Sequence, residues 1–243
     1  TAEIVLNNTD TDICVIGEGE ITFKEVVENI NRLESVKGIY FKQDERITKN
    51  PPREYVKNLD EIDFPAWDLF PIDIYLKNCN FDNFSPAIDV ITGRGCPYDC
   101  RFCSKTFRDV RFRSVENIIK EIQLLIHKYN VKGIIFEDEL FVVNKKRIYE
   151  FCDKIEPLNI KWMCNGRVNL VDSNLLNRMK KAGCQVICYG VESGSQTILD
   201  NMNKQITTEQ SKQAIIDTIE ARIRPNLFMM YGYLGETRET LKE

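Results

Sequence analysis

The sequence predicts an α/β fold built on a parallel sheet, and three observations carry that expectation. From residue 87 onward, short apolar runs alternate strictly with segments whose apolar residues recur at helical spacing. Such alternation specifies parallel strands joined by right-handed helical crossovers. Near the N-terminus a further strand, glycine turn and helix follow one another, and a proline-rich stretch separates them from the repeating part. The expected organisation is therefore residues 1–48 as the tail of a larger α/β domain, 49–86 as a connector, and 87–243 as the main domain.

Asp12 to Ile16 reads as a buried strand, Gly17-Glu18-Gly19-Glu20 as a turn, and the next segment as a helix with Phe23, Val26, Val27, Ile30 and Leu33 on its apolar face. Glycine there lets a ligand approach the backbone at a helix N-terminus. Gly38 to Phe41 is a further strand, and Lys42 to Glu45 a turn. One strand–helix unit cannot bury its sheet face alone, so the unit implies a domain that began upstream. Pro51, Pro52, Pro65, Pro71 and Pro86 stiffen the connector, and Phe64, Trp67, Phe70 and Tyr75 are expected to pack on the main domain as a strap.

In the main domain, strands are expected at 87–92, 131–136, 160–164, 185–189 and 226–231. The helices between them carry apolar faces through Val115 to Tyr129, Ile148 to Ile155, Leu175 to Ala182 and residues 207–221. Gly183 marks the stop of the third of these.

Composition excludes several function classes. The chain has 243 residues, 43% hydrophobic and 29% charged, with 33 Lys+Arg against 37 Asp+Glu and a net charge of −4. That balance suits a soluble domain and offers no basic surface for nucleic acid. No apolar run is long enough to span a membrane. Nine cysteines, an odd number in a chain of this size, fit unpaired thiols in a reducing cytoplasm rather than a disulfide framework.

Chemistry concentrates in Cys96-Pro97-Tyr98-Asp99-Cys100-Arg101-Phe102-Cys103, directly after the first strand and the step Gly93-Arg94-Gly95. Three thiolates this close can converge on one soft metal centre, and three protein ligands leave a position open for chemistry. A structural zinc site is a competing reading, although His127, the only histidine, lies well beyond Cys103 in a helical pattern. Three unrelated thiols in one loop are another. Cys14, Cys79, Cys152, Cys164, Cys184 and Cys188 sit mostly in apolar runs and read as buried structural thiols.

The C-x3-C-x2-C spacing, with Phe102 just before the last cysteine, resembles the radical S-adenosylmethionine (SAM) superfamily. The resemblance implies a partial (β/α)6 barrel and a [4Fe–4S] cluster on Cys96, Cys100 and Cys103. Its open iron would chelate SAM, whose reductive cleavage gives a 5′-deoxyadenosyl radical. It also implies a small-molecule substrate and an electron donor such as flavodoxin or ferredoxin. Five strands are visible, so the barrel is expected to be incomplete, its sixth strand missing. The Gly17–Glu20 turn, the following strand and the segment Leu59-Asp60-Glu61-Ile62-Asp63-Phe64-Pro65 resemble the subgroup in which a Rossmann-like cobalamin-binding domain precedes the barrel. Residues 1–48 would be the C-terminal remnant of that domain, with Gly17 and Gly19 near the nucleotide tail of cobalamin. The usual Asp-x-His-x-x-Gly motif of such domains is absent here.

Active sites of β/α barrels lie at the C-terminal strand ends, which draws attention to four further places. Glu137-Asp138-Glu139 follows the second strand, where the superfamily often touches the SAM amino group; Glu137 and Asp138 are the candidates. Arg167 follows the third, and its fork suits a carboxylate such as that of SAM. Gly190-Val191-Glu192-Ser193 ends the fourth and matches the Gly-x-Glu-Ser motif of the subgroup, implying that Glu192 and Ser193 receive the ribose hydroxyls or amino group of SAM. Gly232, in Tyr231 to Thr237 after the fifth strand, would lie near adenine, and Glu236 could cap a following helix. The implied reaction is methyl transfer dependent on cobalamin. Radical rearrangement, cyclisation or oxidation is the alternative enzyme reading, and an electron-carrying Fe–S protein the alternative from another class.

Overall fold

The computed structural model describes residues 1–43, 46–78, 84–104 and 107–243, which form two compact units, 1–62 and 63–243. The residues expected as a connector, 49–86, divide between them. Two expectations fall outside the described residues: the end of the Lys42 to Glu45 turn and the burial of Cys79.

The first unit contains α1 (Ala2–Asn8), β1 (Ile13–Val15), α2 (Gly19–Glu28), β2 (Ile39–Gln43) and β3 (Arg46–Lys49). The strands pair in the order β1-β2-β3, and both pairings are antiparallel, with Ile13 opposite Phe41 and Tyr40 opposite Lys49. Here the chain turns through Leu33–Ser35 and Gly38 (φ +75°), and β2 begins beside the end of β1, where the Ile16 N–H donates to the Gly38 carbonyl at 2.8 Å. Val26, Val36, Ile39 and Phe41 form the small core. Strand β1 is half-buried rather than buried, and of the helical apolar stripe Phe23, Val27 and Ile30 are exposed. Three short strands are too narrow to cover the whole helix face. The buried Glu18 carboxylate accepts from the Val56 N–H at 2.7 Å and fixes the start of α2.

The second unit opens with α3 (Ile72–Asn78) and then runs β4 (Ala87–Val90), β5 (Gly93–Arg94), β6 (Arg111–Phe112), α4 (Val115–Tyr129), β7 (Gly133–Phe136), α5 (Lys145–Ile155), β8 (Lys161–Gly166), α6 (Ser173–Lys181), β9 (Cys184–Glu192), α7 (Gln196–Asn201), α8 (Thr208–Glu220) and β10 (Arg224–Met229). Five strands make one parallel sheet in the order β4-β7-β8-β9-β10, the expected partial barrel. Every neighbour in the sheet is the next parallel strand along the chain, so all crossovers advance in one direction. The helices start where the sequence supplies caps: Ser114, Asn144 and Asp172 accept from backbone N–H groups at α4, α5 and α6, and Thr207 with Gln210 forms a capping box at α8. Gly183, at φ +102°, ends α6.

Alternation along the strands divides the sheet's faces. One face, with Ile134, Phe136, Trp162, Cys164, Ile187 and Tyr189, belongs to the main core with the helices. The other carries Ala87, Ile135, Met163, Val186 and Cys188. The expected strap packs only in part. The Trp67 Nε1 donates to buried Glu121 at 3.3 Å, and Phe64 lies under the Arg113 guanidinium at 5.3 Å, but Phe70 and Tyr75 are exposed. Glu121 also pairs with Arg113 at 2.5 Å, so polar anchors on α4 select which aromatics are held.

Phe136, Phe141, Phe151 and Trp162 form the centre of the core, with ring centroids between 4.7 and 5.8 Å apart. The Trp162 indole N–H donates to the Ala182 carbonyl at 2.8 Å. Trp162→Ala is expected to lower unfolding free energy by about 3–5 kcal/mol, whereas Trp162→Phe retains most of the packing and should cost about 1–3 kcal/mol for the lost hydrogen bond and smaller ring. Urea unfolding monitored by circular dichroism measures both. Equal losses in the two variants would show that the cluster is not what holds the sheet to its helices.

Candidate active site

The cysteine loop leaves the end of β4 under tight control. Asp138, buried after β7, accepts from both the N–H and the hydroxyl of Thr92, each at 2.5 Å. Arg147 of α5 donates to the Thr92 carbonyl and hydroxyl at 3.0 and 2.8 Å and stacks on Phe112 at 4.6 Å. The β5–β6 ribbon then turns the chain, and Gly95 (φ +92°) passes so close to the Asp109 carbonyl that a Cβ would lie 2.4 Å from it. Any side chain there would push the loop outward. Asp138 thus holds the strand end, with its carboxylate committed to Thr92 rather than presented for a ligand. Burial pushes its carboxyl up from the ordinary value, against the hydrogen bonds from Thr92 and the charge of Arg147.

The far side of the loop is tied to the turn after α7. The Arg101 N–H donates to the Met202 carbonyl at 2.8 Å, its guanidinium to the Asn201 carbonyl at 3.1 Å, and the Asn203 amide to the Asp99 carbonyl at 2.8 Å. This turn is backbone-strained: Asn203 and Gln205 have φ of +53° and +54°. Outside glycine, and less so asparagine, that region is disfavoured. Between them sits Lys204, only 7% exposed, whose ammonium reaches Glu192 Oε1 at 2.7 Å and lies 5.5 Å from the Phe102 ring centroid. Glu192 is itself at φ +67°.

Cys96, Cys100 and Cys103 line one cavity of about 290 Å³ together with Phe102, Arg167, Gly190, Glu192 and Lys204. Gly190 makes room for the ion pair, since a Cβ there would lie 2.4 Å from Glu192 Oε1 and 2.7 Å from Lys204 Nζ. Among the described residues, no three His, Cys, Asp or Glu side chains close on a point that a single metal ion could occupy. The three loop thiols share the wall of one cavity.

Other candidates are placed around this cavity. Arg167 is buried; its Nε donates to Asn169 at 2.9 Å, Nη2 donates to the Lys204 carbonyl, and Nη1 faces Cys100 Sγ at 3.9 Å. Ser193 accepts from the Ser195 N–H at 3.1 Å and lines a second recess of about 160 Å³, with Glu192 on the border of both. Gly232 (φ +78°) lies outside both recesses; its N–H donates to Glu236 at 2.5 Å, so Glu236 closes this turn and no helix follows for it to cap among the described residues. The adjacent Tyr233 ring meets Phe102 edge-on at 6.5 Å. Glu137 is exposed as a residue and lines neither recess; partial desolvation of its carboxyl, then the nearby charge of Asp89, pushes that carboxyl up. Glu139, its neighbour, lines the main cavity. Gly17 (φ +84°) and Gly19 form the β1–α2 turn of the first unit.

Of the cavity residues that the sequence does not single out as site residues, Lys204 and Cys188 carry reactive or charged groups. Lys204 left no signal, because a lysine in a polar turn reads as solvated. Cys188 was set among the structural thiols; it is buried and its thiol is pushed up by burial, yet it also lines the cavity and receives a hydrogen bond from Asn226 at 3.8 Å. Cys152, Cys164 and Cys184 are buried, Cys14 is half-buried and His127 is exposed.

Residues 90–243 match the radical SAM superfamily. Among curated relatives, an uncharacterized methyltransferase of Pyrococcus horikoshii is 35% identical over 239 residues, covering 95% of this chain and 51% of the relative. An anaerobic magnesium-protoporphyrin IX monomethyl ester cyclase of Cereibacter sphaeroides is 33% identical over 247 residues, covering 96% of this chain and 40% of the relative. The chain therefore spans about half, or less, of these relatives. Among solved structures, the cobalamin-dependent SAM radical enzyme OxsB aligns with a TM-score of 0.80 at 24% identity, over 95% of this chain and 35% of that one. That agreement shows the fold, and the sequence match shows the family, whose members carry a [4Fe–4S] cluster and use SAM. With its three thiols on one cavity at the C-terminal ends of parallel strands, the chain belongs to the radical SAM superfamily.

Proposed function

We propose that residues 63–243 are the catalytic barrel of a cobalamin-dependent radical SAM methyltransferase, in which Cys96, Cys100 and Cys103 hold the cluster. The observation that carries this reading is the single cavity shared by three thiols and the buried Glu192–Lys204 ion pair. An electron-carrying protein needs neither an open cavity beside its thiols nor a strained carboxylate facing them. SAM brings an ammonium and a carboxylate on one carbon, and Glu192 and Lys204 offer the complementary charges. When bound, the cluster and SAM supply a reductive cleavage that yields a 5′-deoxyadenosyl radical.

In this reading Glu192 accepts from the amino group or ribose hydroxyls, Ser193 assists in the adjoining recess, and Phe102 walls the cavity. Gly232 presents backbone toward adenine, and Glu139, rather than Glu137, borders the main cavity. Reduction of the cluster calls for a donor such as flavodoxin or ferredoxin, and oxygen-sensitive thiols suit a reducing cytoplasm. Among the described residues no helix is long and apolar enough to cross a membrane. Methyl transfer is favoured by the methyltransferase name of the Pyrococcus relative and by the cobalamin named for OxsB. Cyclisation is the second reading, favoured by the cyclases at comparable identity. Product analysis with methyl-labelled SAM separates them, since only methyl transfer moves label into the substrate.

Anaerobic reconstitution should give about four irons per chain, as one cubane requires. Alanine at Cys96, Cys100 or Cys103 should abolish loading, and alanine at Cys152 or Cys184 should not. Full iron content in a variant lacking all three loop cysteines would falsify the ligand assignment.

Glu192→Ala should leave cluster absorbance intact and weaken SAM binding. Loss of one charge-assisted hydrogen bond is worth about 1.5–3 kcal/mol, roughly 10–150-fold in affinity. Gly190→Ala should act in the same direction, because the added methyl displaces the movable ends of Glu192 and Lys204 rather than backbone. Isothermal titration under anaerobic conditions measures both, and unchanged affinity in the two variants would remove Glu192 from the SAM site.

Residues 1–62 provide a short antiparallel sheet. A corrinoid in an open α/β domain sits across the ends of parallel strands. Residues 1–243 alone are therefore expected to bind hydroxocobalamin weakly, and a longer natural chain carrying a complete domain to bind it stoichiometrically. Equilibrium dialysis distinguishes the outcomes; tight binding by residues 1–243 would place the site elsewhere, and no binding by the longer chain would withdraw cobalamin and methyl transfer together.

A further inference from the structure

Arg167 is held on every side, and among the described residues no carboxylate pairs with it. Its side chain is 5% exposed, and among the described residues it forms no ion pair. The Nε donates to Asn169 Oδ1 at 2.9 Å, Nη2 donates to the carbonyl of Lys204, and the guanidinium carbon lies 3.6 Å from the centroid of the Tyr98 ring. Nη1 faces Cys100 Sγ at 3.9 Å, within hydrogen-bonding reach of sulfur.

A guanidinium stays protonated in proteins, and burying its charge without an anion is costly. A fork that waits for a carboxylate presents two parallel N–H groups to open space. In Arg167, Nε and Nη2 each already donate one hydrogen bond, and Nη1 faces a thiol of the cysteine loop. That thiol becomes an anion when it binds metal. The counter-charge for Arg167 is then Cys100 itself.

We infer that Arg167 is a tuning residue of the cluster: through an N–H···S hydrogen bond and its charge on the Cys100 thiolate, it raises the reduction potential. The reason for the sign is electrostatic. An electron added to the cluster makes its sulfur ligands more negative, so a fixed donor and positive charge stabilise the reduced form more than the oxidised one. Tyr98, within the loop, and Asn169, after β8, set the distance by clamping the guanidinium. The inference rests on Cys100 being a ligand, and the two can fail separately. Iron retained in Cys100→Ala defeats the ligand assignment, whereas an unchanged potential at normal iron content defeats the tuning role alone.

The experiment uses anaerobically reconstituted protein without SAM. Iron content and the midpoint potential, titrated by electron paramagnetic resonance of the reduced cluster, are measured for wild type, Arg167→Gln, Arg167→Lys and Asn169→Ala. SAM affinity is measured separately. Arg167→Gln is expected to load iron normally and to lose about tenfold in the equilibrium constant for one-electron reduction, a negative shift of about 59 mV. Arg167→Lys keeps the charge without the fork and should shift less, and Asn169→Ala should shift in the same direction by loosening the clamp. If Arg167→Gln does not fold or load, the latter two variants decide. Potentials equal to wild type across the loaded variants overturn the inference, including the case in which SAM affinity falls while the potential stays fixed, which would assign the guanidinium to the SAM carboxylate.

Discussion

Lys204 is the point where both sides of the cavity meet. Its backbone carbonyl accepts from Arg167, which stands over Tyr98 and beside Cys100, and its ammonium pairs with Glu192 at the end of β9. Taking a lysine and a glutamate out of water is expensive, and pairing recovers that cost only when geometry is fixed. The geometry is fixed by the surrounding turn, through the Arg101 and Asn203 bonds to the cysteine loop and the left-handed backbone at Asn203 and Gln205. A displacement of this turn would therefore move the ion pair, the guanidinium and the thiols together. Backbone strain of this kind, of order 1–3 kcal/mol per residue, persists where the neighbours over-determine it.

The opposite side of the cysteine loop depends on a different device. Asp138 and Arg147 grip Thr92 from two elements, so the loop leaves β4 from a rigid base. One anchored end and one stapled end leave the intervening eight residues little freedom. This arrangement explains why an acidic triplet after β7 serves two purposes: Asp138 turns inward to hold the scaffold, while Glu139, one residue on, faces the cavity. Alternation across a strand end is sufficient to separate the roles.

Much of this was legible in the sequence, and the pattern of success has physical causes. The five parallel strands and their helices followed from hydrophobic period, which burial on both faces makes strong. The cysteine spacing and the Glu192 motif located the cavity because both are local in sequence. The antiparallel pairing of β1 with β2 was not legible, since periodicity carries no strand direction. The exposure of Phe23, Val27 and Ile30 was hidden for a related reason: a helical stripe shows that a face is apolar, not that the sheet beneath is wide enough to cover it. Lys204 was invisible because the groups that meet it, Arg167, Glu192 and the Phe102 ring, lie elsewhere along the chain. Asp138 was read as a ligand group because sequence shows a carboxylate at a strand end but not which way it turns.

Among the described residues β10 is an outer strand of the sheet, with Leu227, Phe228 and Met229 exposed. An unpaired strand edge bearing apolar side chains is a template for association with another chain, and natural edges are blunted by charge or proline. Here Arg224 and Pro225 occupy only the first two positions of β10. The protection covers the entry of the strand and not its end, which is the end nearest the cavity. Among the described residues, the apolar end of β10 is therefore the stretch of the sheet most open to pairing with a further strand.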